Sequence, residues 1–107
     1  MLYGYNGKTL RVNLTESTIK TEEPPENWYR AYLGGMGAIA YHLLKETTPG
    51  VDPLSPENIL LMAPGVISGA PFSGSGRNAV GGISPLTGGY GEADAGGYWP
   101  AELKHAG

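Results

Sequence analysis

A chain of 107 residues has room for one domain. Its formal net charge of −3, with seven Lys plus Arg, supplies no basic stripe for a phosphate backbone, which excludes nucleic acid as a partner. With no cysteine, a disulfide scaffold, a thiolate zinc site, a cysteine nucleophile and any cysteine-ligated iron–sulfur cluster held by this chain alone are ruled out.

Hydrophobic residues at 40% beside 18 Gly and 9 Pro describe a turn-rich folded chain rather than a disordered one. The longest apolar run, residues 59–63, is far short of the ~20 needed to span a bilayer. Met1-Leu2-Tyr3-Gly4 lacks a charged segment followed by an apolar one, so the expectation is a cytoplasmic protein with no membrane contact. Asn13-Leu14-Thr15 matches the glycosylation triplet and is read as a strand end entering a turn.

The predicted fold is α+β, in three stretches. Residues 1–23 read as an antiparallel β meander. Tyr3-Gly4-Tyr5 precedes Asn6-Gly7, a pair that tolerates the positive φ angles of a type I′ turn, and residues 8–13 return as the second strand. Leu10, Val12 and Leu14 alternate and are expected to point inward, and a turn at residues 15–17 leads to a third strand over 18–22. Residues 25–46 read as a helical pair. Pro25 opens the first helix with Glu26 in its first turn, and Gly34-Gly35 supplies a left-handed stop after Leu33. The second helix, residues 36–46, offers Ile39, Ala40, Leu43 and Leu44 as its apolar face; His42 is assigned a structural role. A Pro/Gly/Asp linker over residues 49–53 precedes a buried strand at 59–63.

From Ile59 to Gly107 lie twelve glycines and five charged residues, so this third stretch is read as a glycine-rich β and loop region that presents its backbone. Gly74-Ser75-Gly76-Arg77-Asn78-Ala79 fits G-x-G-x-x-A, yet no strand leads directly into it and Val80-Gly81-Gly82-Ile83-Ser84-Pro85 cannot continue as a helix, so no dinucleotide site is assigned. No Walker lysine or G-x-S-x-G elbow is present. Arg77 is the one positive charge between Lys45 and Lys104. Its five fixed donors suit a phosphate or the edge of a planar heterocycle, and the competing reading is an ion pair with Glu92 or Asp94. Gly88-Gly89-Tyr90-Gly91 and Gly96-Gly97 flank Glu92-Ala93-Asp94 as a second glycine-walled turn, open to reading as a ligand contact or a plain loop.

Several blocks together resemble the aldehyde:ferredoxin oxidoreductase family. They are Tyr3-Gly4-Tyr5-Asn6-Gly7, Leu10-Arg11-Val12-Asn13-Leu14, Tyr32-Leu33-Gly34-Gly35, Val51-Asp52-Pro53-Leu54-Ser55-Pro56-Glu57-Asn58, Gly76-Arg77, Ser84-Pro85-Leu86-Thr87-Gly88 and Ala95-Gly96-Gly97-Tyr98. The resemblance implies a longer tungsten, sometimes molybdenum, enzyme whose N-terminal β-rich domain supports a bis-pterin cofactor; residues 1–107 correspond to the first part of that domain. It implies oxidation of aldehydes to carboxylic acids, with electrons passing through a [4Fe-4S] cluster to ferredoxin. The cluster would be held by the remaining domains or a companion polypeptide. It places Arg77 between pterin and cluster, and Asp94 and Gly96 at the pterin phosphates, the Asp94 backbone carbonyl meeting the bridging magnesium. No catalytic acid or base falls within this stretch, so the 107 residues alone are expected to be inactive. Asp94 stands where asparagine is usual, Met36 where arginine is frequent and Ile83 where lysine is frequent. The alternative is a non-catalytic truncated copy or protein-interaction module that retains the sheet scaffold alone.

Overall fold

A computed structural model describes residues 4–107. The elements run β1 (Thr9–Asn13), β2 (Thr18–Glu22), α1 (Glu26–Tyr32), α2 (Gly35–Glu46), β3 (Leu61–Pro64), β4 (Asn78–Ile83), β5 (Tyr90–Ala95) and α3 (Trp99–His105). The α+β class holds: β1–β2 form one antiparallel ribbon and β3–β4–β5 a separate antiparallel sheet.

The ribbon has the expected second turn, with Val12 opposite Ile19; the Asn13 side chain closes it by accepting from the Glu16 N–H at 3.1 Å. The strand expected before it is not formed at Gly4 or Tyr5, and Tyr3 lies outside the described residues. Asn6-Gly7 is consequently no hairpin turn. The Asn6 amide donates to the carbonyl of Lys104, tying this segment to α3, while the Tyr5 ring stacks on Tyr29 with centroids 4.3 Å apart. Ring burial and a helix-end contact have displaced strand pairing.

Leu10, Val12 and Leu14 do not point inward: they are 65%, 51% and 87% exposed. The strand period is as expected but the inward side is the charged one. Arg11 Nε donates to Glu22 at 2.9 Å and its Nη2 to Glu46 of α2 at 2.6 Å, so the ribbon meets the helix through ions.

Helix α1 begins after Pro25, whose carbonyl accepts from the Trp28 N–H at 3.0 Å. Leu33 itself, at φ 57°, takes the left-handed position assigned to Gly34-Gly35, its N–H donating to Tyr29 at 2.8 Å. Gly34 is needed elsewhere. At φ +76° it bridges to Gly65, and a Cβ there would lie 2.7 Å from the Pro64 oxygen.

Helix α2 buries Ala38, Ile39 and Leu43; Leu44, expected on the apolar face, is 85% exposed. Ile39 and Leu43 meet Ala79 of β4, with Ile59, Leu61, Ala63 and Ile83 packed around them. The predicted buried strand at 59–63 is observed as Leu61–Pro64, half-buried, with Leu60 and Met62 facing out. Just before it, the Asn58 amide donates to the Ile83 carbonyl at 3.0 Å and its oxygen accepts from the Ile83 N–H, standing in for a ladder rung. Helix α3 was not expected within the glycine-rich stretch. Pro100 near its start, Glu102 in its first turn and Lys104-His105 in its last are the signals that mark it.

Candidate functional site

Sequence-distant glycines meet where β4 and β5 run out. The ladder pairs Asn78 with Ala95 and Ala79 with Asp94, which carries Gly76-Arg77 alongside Gly96-Gly97. A Cβ at Gly76 would lie 3.0 Å from the Gly97 oxygen; one at Gly96 would lie 3.7 Å from the Gly76 oxygen and 3.9 Å from Arg77 Nη1. The close approach therefore depends on the missing side chain at Gly76, whereas a Cβ at Gly96 would make ordinary contact.

All three singled-out residues come together. Arg77 and Gly96 adjoin the last paired residues, Asn78 and Ala95, with a Cβ at Gly96 3.9 Å from Arg77 Nη1, and Asp94, exposed, is paired with Ala79 one step further along the ladder. The Arg77 side chain is exposed and, among the described residues, forms no ion pair or side-chain hydrogen bond. The ion-pair reading with Glu92 or Asp94 is thus not realised: Glu92 accepts instead from the Tyr90 hydroxyl at 2.9 Å. Partial burial, the hydrogen bond to that carboxylate and the nearby charge of Asp94 push the Tyr90 phenol up to about 12.

The Arg77 backbone is held as firmly as its side chain is free. Its carbonyl accepts from the Ser68 hydroxyl at 2.8 Å and from the Gly65 N–H at 3.4 Å. Ser68, Asn78 and Lys104 are buried polar residues that sequence reasoning did not single out, at 5%, 0% and 6% exposure. Both polar atoms of the Asn78 amide are buried with no hydrogen-bond partner. Nothing in the local pattern marks Ser68 or Asn78; Lys104 would have been found only with its helix.

His42 is not isolated. Glu46, four residues on, comes within 3.8 Å of its ring, though among the described residues no three His, Asp or Glu side chains converge as a metal site. An open, mainly apolar cleft of about 510 Å³ lies along the sheet, bordered by Ile59, Val80, Ile83, Pro85 and Ala93. It does not include Arg77, Asp94 or Gly96. No described helix is long and apolar enough to cross a membrane.

The α+β scaffold thus presents an exposed, unpaired guanidinium beside a glycine-rich strand end. Residues 9–107 match the family described as "Aldehyde ferredoxin oxidoreductase, N-terminal domain", and the chain belongs to that family of oxidoreductases. The tungsten-containing aldehyde ferredoxin oxidoreductases of Pyrococcus abyssi and Pyrococcus horikoshii are 50% and 48% identical to it over 106 residues, 99% of this chain. The chain spans 18% of the length of each. Among solved structures, a chain of the active site complex BamBC of benzoyl coenzyme A reductase with 1,5-dienoyl-CoA superposes with a TM-score of 0.92. The identity is 39%, covering 100% of this chain and 16% of that one.

Proposed function

We propose that residues 1–107 form one cofactor-bearing unit of a cytoplasmic tungsten-containing, or molybdenum-containing, aldehyde:ferredoxin oxidoreductase. Within it the ribbon and helical pair act as buttress and the glycine-rich region faces the cofactor. The observation that carries this reading is the exposed, unpaired Arg77 guanidinium beside Gly96, where five fixed donors are left free for a planar, anionic group. The names of the Pyrococcus relatives support tungsten as the metal.

The residues present fit a bis-pterin. Arg77 would donate to its planar acceptors or phosphates, Gly96 would let it approach the backbone, and the Asp94 carbonyl would meet a magnesium ion between the phosphates. The Asp94 carboxylate would repel those phosphates, and magnesium and Arg77 would offset that repulsion. When bound, the metal–pterin group supplies the two-electron oxidation of an aldehyde to a carboxylic acid, water providing the second oxygen. The chain's own share is to bind and orient that group. A [4Fe-4S] cluster, which the remaining domains or a companion polypeptide would hold, would supply the electron path to ferredoxin; the 107 residues alone would bind no iron and oxidise no aldehyde.

Arg77→Ala and Arg77→Lys in the tungsten-loaded protein test this. Each charge-assisted hydrogen bond is worth about 1.5–3 kcal/mol, and a point-charge ammonium cannot span two planar acceptors. Both variants should therefore lose tungsten by more than about tenfold with the fold intact. Wild-type tungsten in both overturns the assignment. The outward apolar side of the ribbon favours a second reading, a scaffold that docks protein and binds no cofactor. Wild-type protein that recovers no tungsten from a supplemented host would select it.

A further inference from the structure

Lys104 is 6% exposed, on an amphipathic helix where leucine or methionine would pack at no electrostatic cost. Burying an ammonium group is among the most expensive choices a fold makes, and among the described residues no carboxylate pairs with it. Burial alone pushes its pKa down. Its donors go instead to backbone: Nζ donates to the carbonyls of Gly65 at 2.9 Å and Val66 at 3.1 Å.

Those two carbonyls belong to the turn that follows β3, the same turn that holds Arg77. The Gly65 N–H donates to the Ser68 hydroxyl oxygen at 3.0 Å and to the Arg77 carbonyl at 3.4 Å; the Ser68 hydroxyl donates to the Arg77 carbonyl at 2.8 Å. Helix α3 is held by two further contacts, one of them with the turn. Asn6 donates to the Lys104 carbonyl, and a Cβ at Gly69 would lie 3.1 Å from the His105 ring. The connection therefore runs from the ammonium through one turn to the backbone of Arg77, while the guanidinium remains free to bind.

We propose that Lys104 is a positioning residue whose buried ammonium clamps the Gly65–Val66 carbonyls and, through Ser68, sets the backbone from which Arg77 is presented. This rests on the cofactor role of Arg77 for its purpose, and on the hydrogen bonds above for its geometry.

Lys104→Met keeps the length and apolar bulk of the side chain and removes the ammonium; Ser68→Ala removes the shorter of the turn's two hydrogen bonds to the Arg77 carbonyl and leaves α3 unaltered. In the assembled protein, hydrogen–deuterium exchange over residues 65–77 should quicken at least tenfold in both variants, with residues 79–83 of β4 unchanged. Unchanged exchange over 65–77 in both variants overturns the clamp. Tungsten content then separates positioning from stability. Lys104→Met should lower it, and the double variant with Arg77→Ala should hold no less than Arg77→Ala alone, because both act on one group. Losses that multiply would make Lys104 a purely structural residue and overturn the proposal. Wild-type tungsten in Arg77→Ala overturns the cofactor reading alone, and the exchange rates still decide the clamp.

Discussion

Two glycines set how closely α2 approaches its neighbours. A Cβ at Gly81 would lie 2.5 Å from Ile39 Cγ2 and 3.2 Å from the Gly91 oxygen, and one at Gly37 would overlap the Tyr32 carbonyl. The two contacts differ in what can yield. At Gly81 the obstacle includes a side chain at 0% exposure that has nowhere to go, so Gly81→Ala should cost about 1–3 kcal/mol by overpacking. At Gly37 the obstacle is backbone, and the ~1 kcal/mol of helix propensity that alanine brings does not offset it. Urea unfolding of both variants checks this, with a Gly37→Ala protein as stable as wild type counting against the close approach.

At the scale of elements, the ribbon is held to α2 by charge. Arg11 donates to Glu22 and Glu46 together, which raises its own pKa and holds the Glu22 carboxyl below its usual value of 4.5. A carboxyl depressed in the folded state contributes stability that is present above the unfolded value. That contribution is lost as pH falls below 4.5 and through the depressed folded value. The side chains of Arg11 and Glu22 are 37% and 43% exposed, so solvent screening leaves this pair on the order of 1 kcal/mol or less. Below pH 4.5, exchange in β1–β2 should therefore quicken relative to β4–β5 measured in the same sample. Arg11→Met should reproduce that ratio at neutral pH and abolish its acid dependence. A constant ratio in wild type down to pH 3 would show that the ions do not hold the ribbon.

For the whole molecule, surface area is the telling quantity. A compact monomer of 11.2 kDa exposes about 5,700 Å², whereas this chain exposes 7317 Å². The excess is about twice the ~800 Å² that one partner contributes to a standard protein–protein interface. Leu10, Val12, Leu14, Ile19, Leu60, Met62 and Phe72 are among the exposed apolar residues, and the largest fully buried side chains among the described residues are Ile39, Asn78 and Pro100. Residues 1–107 in isolation should self-associate or melt at low temperature. Sedimentation velocity over a hundredfold range of concentration tests this; a monomer throughout, with a sharp melt above ~65 °C, would contradict it.

What was legible in the residues was local. Pro25 set the start of α1, and the turn between β1 and β2 and the end of α2 near Glu46 fall where residues 15–17 and the linker at 49–53 put them. The glycine density after Ile59 set that stretch apart, and Arg77 stood out because no other cation lies near it in the chain. Tertiary structure decided the rest, because periodicity says which residues share a face and not which face is covered. Leu10 and Val12 alternate as an inward pair should, yet the ribbon docks on its ionic side because Glu46 of α2 is there to meet Arg11. Ala38 is buried in place of Leu44 because the β3–β4 sheet lies against that side of α2. Gly96 lies beside Arg77 only through the β4–β5 register, and Lys104 is buried only because α3 folds back over the turn after β3. Each of these depends on a contact between residues distant in the chain, where the free energy of packing is settled by the partner and not by the local pattern.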